Sequence, residues 1–263
     1  MLISVVDWNV NGFVRRSQPN LLAELEWDVA CLQEVTRQTW DAFRSLGADG
    51  DVAFEHLAPL AGDGPRYACA IVTRGAVRLE SFGLLRDMPS PERAAVAEVS
   101  VDGHRIWIGS WAAPPGVSWG KGAKERQVQR FAAWLRDRPG PVVIGIDRNA
   151  PKWERHDLSA DEWWNGSEPL LYGPDRVHDL RDTYRDHLDA NPGLAAEVRQ
   201  QFPEGPLAFT HIRGGTVCRY DVIYASPEFG VEDVEHQWDK ARSAGSDHAL
   251  VRATLRLDTC PRS

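Results

Sequence analysis

The chain has 263 residues, 43% hydrophobic and 26% charged, with 30 Lys and Arg against 38 Asp and Glu for a formal net charge of −8. That balance excludes a disordered, collagen-like or coiled-coil chain, leaves no apolar run long enough to span a bilayer, and suffices to bury a core without covalent staples. The acidity excludes a broad basic surface that would hold nucleic acid by charge alone.

Leu2–Val6 is a β-rich run ending at Asp7-Trp8-Asn9. Pro19, Leu21, Leu22 and Leu25 predict a short helix, Asp28–Gln33 a buried strand, and Thr36–Leu46 a helix with Trp40, Phe43 and Leu46 on one face. From Asp51 to Ile108 the pattern is mostly strand-like, with runs at Ala68–Thr73, Ala95–Val101 and Arg105–Gly109. Turns are expected at Gly75 and at Asp102-Gly103, the latter a hairpin signal between two alternating runs. Lys124–Arg136 is the clearest helix, with Val128, Phe131, Ala132 and Leu135 at i, i+3, i+4 and i+7. Pro139-Gly140-Pro141 stops it ahead of the apolar strand Val142–Ile146, and Ala150–Pro174 is irregular, Trp-rich and expected to be a functional loop. Strand-like runs recur at Leu207–His211, Arg219–Ala225 and Ala249–Leu257.

No linker or repeat divides the chain, so one domain over residues 1–263 is expected. The layer solution for this order of elements is an α+β, four-layer α/β/β/α sandwich: two mixed sheets face to face, helices outside. Cys31, Cys69, Cys218 and Cys260 are scattered without C-x-x-C spacing, and the N-terminus has no secretory pattern, so a reduced, cytoplasmic setting is the expectation. No protein partner is signalled, and a monomer is expected.

The polar residues are informative through their positions. Apolar strands run into, or start from, Asn9, Glu34, Asp147-Arg148-Asn149, Asp221 and Ser246-Asp247-His248. Strand edges aligned in a packed sheet bring such positions to one rim, where several carboxylates repel one another unless a cation or proton compensates. Oxygen donors of this kind suit Mg2+, Mn2+ or Ca2+, whereas zinc prefers His and Cys. Each of these positions alone is equally well explained as a turn residue or helix cap; their combination and order are the signal.

Five segments resemble, in order, motifs of the endonuclease/exonuclease/phosphatase superfamily. They are Trp8-Asn9-Val10-Asn11-Gly12, Leu32-Gln33-Glu34, Gly145-Ile146-Asp147-Arg148-Asn149, Arg219-Tyr220-Asp221-Val222-Ile223 and Ser246-Asp247-His248. The third carries an apolar residue between the Gly and the Asp. The resemblance implies Glu34 as principal Mg2+ (or Mn2+) ligand, helped by Asn9 and Asp247. It implies Asp147 orienting or deprotonating the attacking water, Asn149 holding a phosphate oxygen, and His248, oriented by Asp221, acting as general base or stabilising phosphoryl charge. Arg93 resembles an arginine that supports this site in some relatives, and Asn11 belongs to the opening motif.

Two departures stand out. Relatives commonly carry a His or Tyr shortly before a Pro after the strand at Arg105–Gly109, whereas this chain reads Ser110-Trp111-Ala112-Ala113-Pro114. Neither an indole nor a methyl group delivers a proton to a leaving oxygen. The segment after Asn149 also does not resemble the abasic-site enzymes. Of the eleven tryptophans, Trp8, Trp27, Trp40, Trp107 and Trp134 are expected in the core. Trp111, Trp119, Trp153, Trp163 and Trp164 are expected in rim loops, where they stack on bases or pin the loops. His211 and Arg213 are candidates to reach a phosphate, and Lys121, Lys124 and Arg126 open the long helix. The expectation is a divalent-metal-dependent nuclease acting on DNA or RNA. The rivals are a phosphatase or phosphodiesterase on a small or lipid-derived phosphate, and a binding module that has lost turnover.

Overall fold

Period-two alternation along the strands, apolar on both faces, requires each sheet to be covered on both sides. The computed structural model describes residues 1–12, 17–44, 49–52, 67–85, 87–114, 121–138, 140–151, 153–157, 166–173 and 176–258. The chain runs β1 (Leu2–Asn9), α1 (Ser17–Glu24), β2 (Val29–Val35), α2 (Arg37–Arg44), β3 (Asp49–Val52), β4 (Ala68–Thr73), β5 (Arg78–Leu84), β6 (Ala94–Val101) and β7 (His104–Ala112). It continues with α3 (Lys121–Arg136), β8 (Val142–Asp147), β9 (Arg181–Asp182), α4 (Thr183–Ala190), α5 (Pro192–Gln201), β10 (His211–Arg213) and β11 (Thr216–Cys218). The last elements are β12 (Asp221–Ala225), β13 (Phe229–Gln237), α6 (Trp238–Ala244) and β14 (Leu250–Leu257).

Two six-stranded sheets form, ordered β13-β14-β1-β2-β4-β3 and β5-β6-β7-β8-β12-β9, with β10-β11 as a separate ribbon. Both are mixed, since β1 runs parallel to β2 and β7 parallel to β8 while the other pairs are antiparallel. The core between them joins Ile3, Val5, Val29, Cys31 and Val251 of one sheet to Ala97, Ile108, Val143 and Ile223 of the other. Outside the first sheet, Leu21 and Leu22 of α1, Trp40 and Phe43 of α2 and Ala241 of α6 pack on Val6, Trp8, Ala30 and Leu32. Outside the second, Val128, Phe131, Ala132 and Leu135 of α3 pack on Trp111, Ile144, Val222 and Tyr224. This is the four-layer sandwich expected from the sequence. No helix of the described residues is long and apolar enough to cross a membrane.

The Asp102-Gly103 hairpin forms as expected, with both residues at positive φ, 49° and 78°, as a two-residue primed turn requires. The strand expected at Arg105–Gly109 extends to Ala112. Consequently Trp111 is a fully buried strand residue, 0% exposed and stacked on Phe131 at 4.8 Å, and the expected rim-loop role at this position is corrected. The reason is alternation: Ser110 and Ala112 face the other sheet, which turns Trp111 outward under α3. The run expected at Leu207–His211 is strand only from His211. Trp119, Trp163, Trp164, His56 and Cys260 lie outside the described residues.

The sheets approach closely at Gly145, where a Cβ would lie 2.5 Å from Asp7 Oδ1 and 2.6 Å from Cys31 Cβ. Gly145→Ala should therefore lower stability by about 1–3 kcal/mol, the usual cost of overpacking, read as a drop in thermal midpoint; an unchanged midpoint contradicts the close approach. On the α3 side, His178 accepts from Leu180 N–H at Nδ1 (3.2 Å) and donates from Nε2 to the Leu171 carbonyl (3.1 Å), which requires a neutral ring. Burial, then the Arg176 charge, pushes His178 down to about 4. Its contribution is present above the ordinary histidine value near 6.5 and lost as pH falls toward 4. His178→Asn should flatten the fall in thermal midpoint between pH 7 and 4.5, relative to its own value at pH 7.

Candidate active site

The inner faces of the two sheets deliver their polar residues to one rim. On β1, Ile3 and Val5 point between the sheets, so Asp7 and Asn9 do as well; on β8 and β12, Val143 and Ile223 set the parity that turns Asp147 and Asp221 inward. Glu34 has the opposite parity on β2. A register shift between Leu32 and Val35 and a positive φ of 55° at Glu34 reset its direction. The charges that act on Glu34 are those of Asp147, Arg93, His248 and Asp247.

Asp147 and Asp221 are register partners on adjacent antiparallel strands, and both are buried. Asp147 is supplied with donors: Asn9 Nδ2 (2.9 Å) and Asn149 Nδ2 (3.1 Å) reach Oδ2, and the Asn149 amide reaches Oδ1 (3.1 Å). Asn149, at φ 47°, also donates to the Ala113 carbonyl (3.0 Å). Asn9 Oδ1 accepts from Asn11 N–H (2.8 Å), closing a turn in which Asn11 and Gly12 both have φ 57°. A side chain at Gly12 would overlap the Tyr67 ring, so only glycine fits there.

Asp221 accepts from His248 Nδ1, 2.9 Å from each carboxylate oxygen. Burial raises the Asp221 carboxyl against the pull of His248, and although burial opposes charge on His248, the Asp221 and Asp147 carboxylates outweigh it and raise the imidazole. The pair therefore retains a proton. Ser246 Oγ donates to the Asn9 carbonyl (2.6 Å) and accepts from His248 N–H (3.0 Å), tying this segment to the end of β1. His211 donates from Nδ1 to the Asp247 carbonyl (3.0 Å) and stacks on His248 at 4.3 Å and on Tyr220 at 5.4 Å.

Among the described residues two groups offer atoms within 4.8 Å of one another that could hold a metal ion: Asp147, Asp221 and His248, and His211, Asp247 and His248. Glu34 stands beside them, its carboxyl raised by burial and by the Asp147 charge, with Arg93 pulling it down. Arg93 is buried in the turn Pro91–Arg93, and the Gln127 side chain of α3 holds the preceding Ser90 by both backbone groups (3.1 and 2.9 Å). Lys124 pairs with Glu168 (2.6 Å) and reaches the Asn149 carbonyl (3.4 Å), so it braces the Asp147–Asn149 turn. Arg126 is exposed, and Trp153, 43% exposed, lies on the loop after Asn149.

Sequence reasoning brought Asn9, Asn11, Glu34, Arg93, Asp147, Asn149, His211, Asp221, Asp247 and His248 to this region; Trp111 is buried away from it. Ala112 faces inward and is the register partner of Asp147 across the parallel β7–β8 pair. Thr210 was not singled out, yet its Oγ1 accepts from both Tyr220 N–H (2.7 Å) and Asp221 N–H (3.2 Å). Asp7 and Gln33 were not assigned roles either. Gln33 Nε2 donates to Asp7 Oδ1 (2.7 Å) and Ser110 Oγ (3.2 Å), and burial, then Asp221, pushes the Asp7 carboxyl well up.

A model of the Endonuclease/Exonuclease/phosphatase family matches residues 8–248. No curated protein matches the chain. Among solved structures, an endonuclease/exonuclease/phosphatase from Bacteroides vulgatus is similar at 14% identity, with 98% of this chain and 100% of that chain covered and a TM-score of 0.64. The human Nocturnin catalytic domain with bound sulfate is similar at 16% identity (97% and 93% covered, TM-score 0.65). D. rerio TDP2 complexed with a single-strand DNA product is similar at 14% identity (97% and 99% covered, TM-score 0.63). At these identities the likeness shows the fold.

Thr210→Val keeps the side-chain shape but leaves the buried Tyr220 and Asp221 amides without an acceptor. It should cost about 1–3 kcal/mol, whereas Thr210→Ser should stay near wild type; equal thermal midpoints for the two variants would contradict the assignment.

Proposed function

The chain belongs to the endonuclease/exonuclease/phosphatase family, and from that membership and the rim geometry we propose that it is a divalent-metal-dependent nuclease hydrolysing phosphodiester bonds of DNA or RNA. Members of this family are hydrolases acting on phosphoester bonds and generally use divalent metals. The observation that carries the reading is the Asp147–Asp221–His248 cluster, with Asn9 and Asn149 holding Asp147. The single-strand DNA product bound to the similar D. rerio TDP2 supports nucleic acid as the substrate class, and the exposed Trp153, on the loop after Asn149, offers an indole surface on which a base can stack.

The donor set fits a hard cation. Glu34, Asp247 and the Asn9 carbonyl oxygen would hold Mg2+ or Mn2+, and the raised Glu34 carboxyl marks a buried negative charge that a cation relieves. When bound, such an ion neutralises charge on the phosphoryl oxygens as a Lewis acid. This chain's residues do the rest. Asp147, fixed by three N–H donors, orients the attacking water and takes its proton. Arg93 meets a phosphate oxygen, while Asn149, whose amide hydrogens go to Asp147 and the Ala113 carbonyl, holds Asp147 in place rather than the phosphate. His248, with Nδ1 committed to Asp221, offers Nε2 to the phosphoryl group. Asn11 and His211 flank the substrate. Ala112 contributes no proton to the leaving oxygen, so rates should rise steeply as the leaving group becomes more acidic.

The net charge of −8 favours one rival, a small phosphate ester, because it gives a polymer little to track. The test offers single- and double-stranded DNA, RNA, inositol phosphates and bis(4-nitrophenyl) phosphate with Mg2+, Mn2+ or EDTA. Metal-dependent cleavage of a nucleic acid that falls by at least about 100-fold in His248→Ala and Asp147→Ala is expected. Hydrolysis of small phosphates alone would replace the nuclease reading by its rival, and turnover of nothing would leave a binding module.

A further inference from the structure

Behind the rim, and absent from the site described above, lies a buried cluster of five charged side chains. Glu154, on the loop after Asn149, accepts at Oε1 from Arg148 Nη2 (2.8 Å), Arg219 Nη1 (3.0 Å) and Arg185 Nη2 (3.2 Å), and at Oε2 from Leu207 N–H (3.2 Å). Arg219 forks onto Asp182 with 2.9 and 2.6 Å contacts. Arg148 donates also to the Arg219 carbonyl (2.9 and 3.3 Å), and the Arg148 amide donates to the Tyr220 carbonyl (3.0 Å). The side chains of Glu154, Arg148 and Arg219 are each 1% exposed.

The positions of these residues along the chain give the cluster its meaning. Arg148 stands between Asp147 and Asn149, and Arg219 stands two residues before Asp221. Leu207 opens the short segment that leads to Thr210, whose hydroxyl receives the Asp221 amide, and to His211. One carboxylate thus joins every segment that brings Asp147, Asn149, Asp221 and His211 to the rim. We propose that Glu154 is a positioning residue, acting through Arg148 and Arg219 to hold Asp147, Asn149 and Asp221 in their mutual placement. The inference rests on the reading of that rim as the reaction centre.

Alternation explains the division of labour. At the end of β8 the side chains of Asp147 and Asn149 turn to the rim, so Arg148 turns away from it, into the interior behind the site. There a guanidinium needs an acceptor, because a buried cation without one is far costlier than a paired one. Three guanidinium N–H groups converging on Glu154 Oε1, with the Leu207 amide on Oε2, give that carboxylate little freedom, and the segments that carry its donors inherit the constraint. Burial opposes the Glu154 charge, but Arg219, Arg148 and Arg185 overcome it and keep the carboxyl well below its ordinary range.

Charge count selects the variants. Three guanidiniums face two carboxylates, so Arg148→Met leaves Arg219 and Arg185 balanced by Glu154 and Asp182 and should fold. Glu154→Gln removes the hub while keeping its shape, and Arg148→Lys restores one charge without the fork. Each is compared with wild type by circular dichroism and by thermal midpoint. Each is also compared by the low-field proton signal of His248 Nδ1–H on Asp221, which needs no substrate, and by kcat and KM on bis(4-nitrophenyl) phosphate with Mg2+ or Mn2+. Expected are folded Arg148→Met protein, a shifted or broadened His248 signal, and kcat lower by roughly 10- to 100-fold at nearly constant KM, with Arg148→Lys intermediate. A folded Arg148→Met protein with the wild-type signal and kcat overturns the proposal. If Glu154→Gln does not fold, Arg148→Met decides. If wild type hydrolyses no phosphoester, the proposed activity fails, and the His248 signal alone decides the positioning role: a shift supports it and an unchanged signal overturns it.

Discussion

Asp147 and Asp221 stand side by side on adjacent strands, both buried, and the arrangement around them follows from the need to keep two carboxylates there. In a medium of low dielectric, like charges at this separation raise each other's pKa unless donors or cations intervene. Asp147 receives three N–H groups, and Asp221 receives an imidazole. Those donors come from β1, from the turn after β8 and from the segment before β14, which belong to both sheets. Asn9 meets Asp147 only because the apolar side chains between the sheets hold β1 at the right distance from β8. Packing and site geometry are therefore one problem here, and at Gly145 the spacing leaves no room for a side chain.

The interior carboxyl groups are kept by different means at different depths. Asp7, beneath the rim, has its carboxyl pushed well up by burial and then by Asp221, against the Gln33 amide that also reaches Ser110 of the opposite sheet. Glu154 and Asp182, behind the rim, are ionised against guanidiniums. Glu34 has only partial compensation from Arg93 and is raised by its burial and by Asp147. Asp221 is likewise raised by burial, with His248 as its counterweight.

Much of this was legible in the sequence because buried strands write themselves as apolar runs and the polar residues stand at their ends. β1, β2, β4, β6, β8 and β14 follow from those runs, and the convergence of Asn9, Asp147, Asp221 and His248 follows from the order of the motifs. β13 and α6 were not read: the shift between Val231 and Asp233 breaks the alternation of β13, and most of its side chains are only half buried. α4 rests on a cap, Asp182, that is also an ion-pair partner. Trp111 was misplaced because its neighbours Ser110 and Ala112 look like loop residues, while their polarity and small size in fact serve the contact between sheets. The Glu154 cluster has no local pattern at all, since its bonds join residues 6 to 71 positions apart.

The same alternation that hides Trp111 gives the rim a chemical asymmetry. On the β12–β14 side of Asp147 two stacked imidazoles, His248 and His211, are anchored by Asp221 and by the Asp247 carbonyl. On the β7 side the inward neighbour is Ala112, a methyl group with no proton to give. Among the described residues, the imidazoles of the site are thus gathered on one flank of Asp147, while its inward neighbour on the other flank is hydrocarbon, because the parity that sends Trp111 under α3 leaves only a methyl group facing the rim from β7.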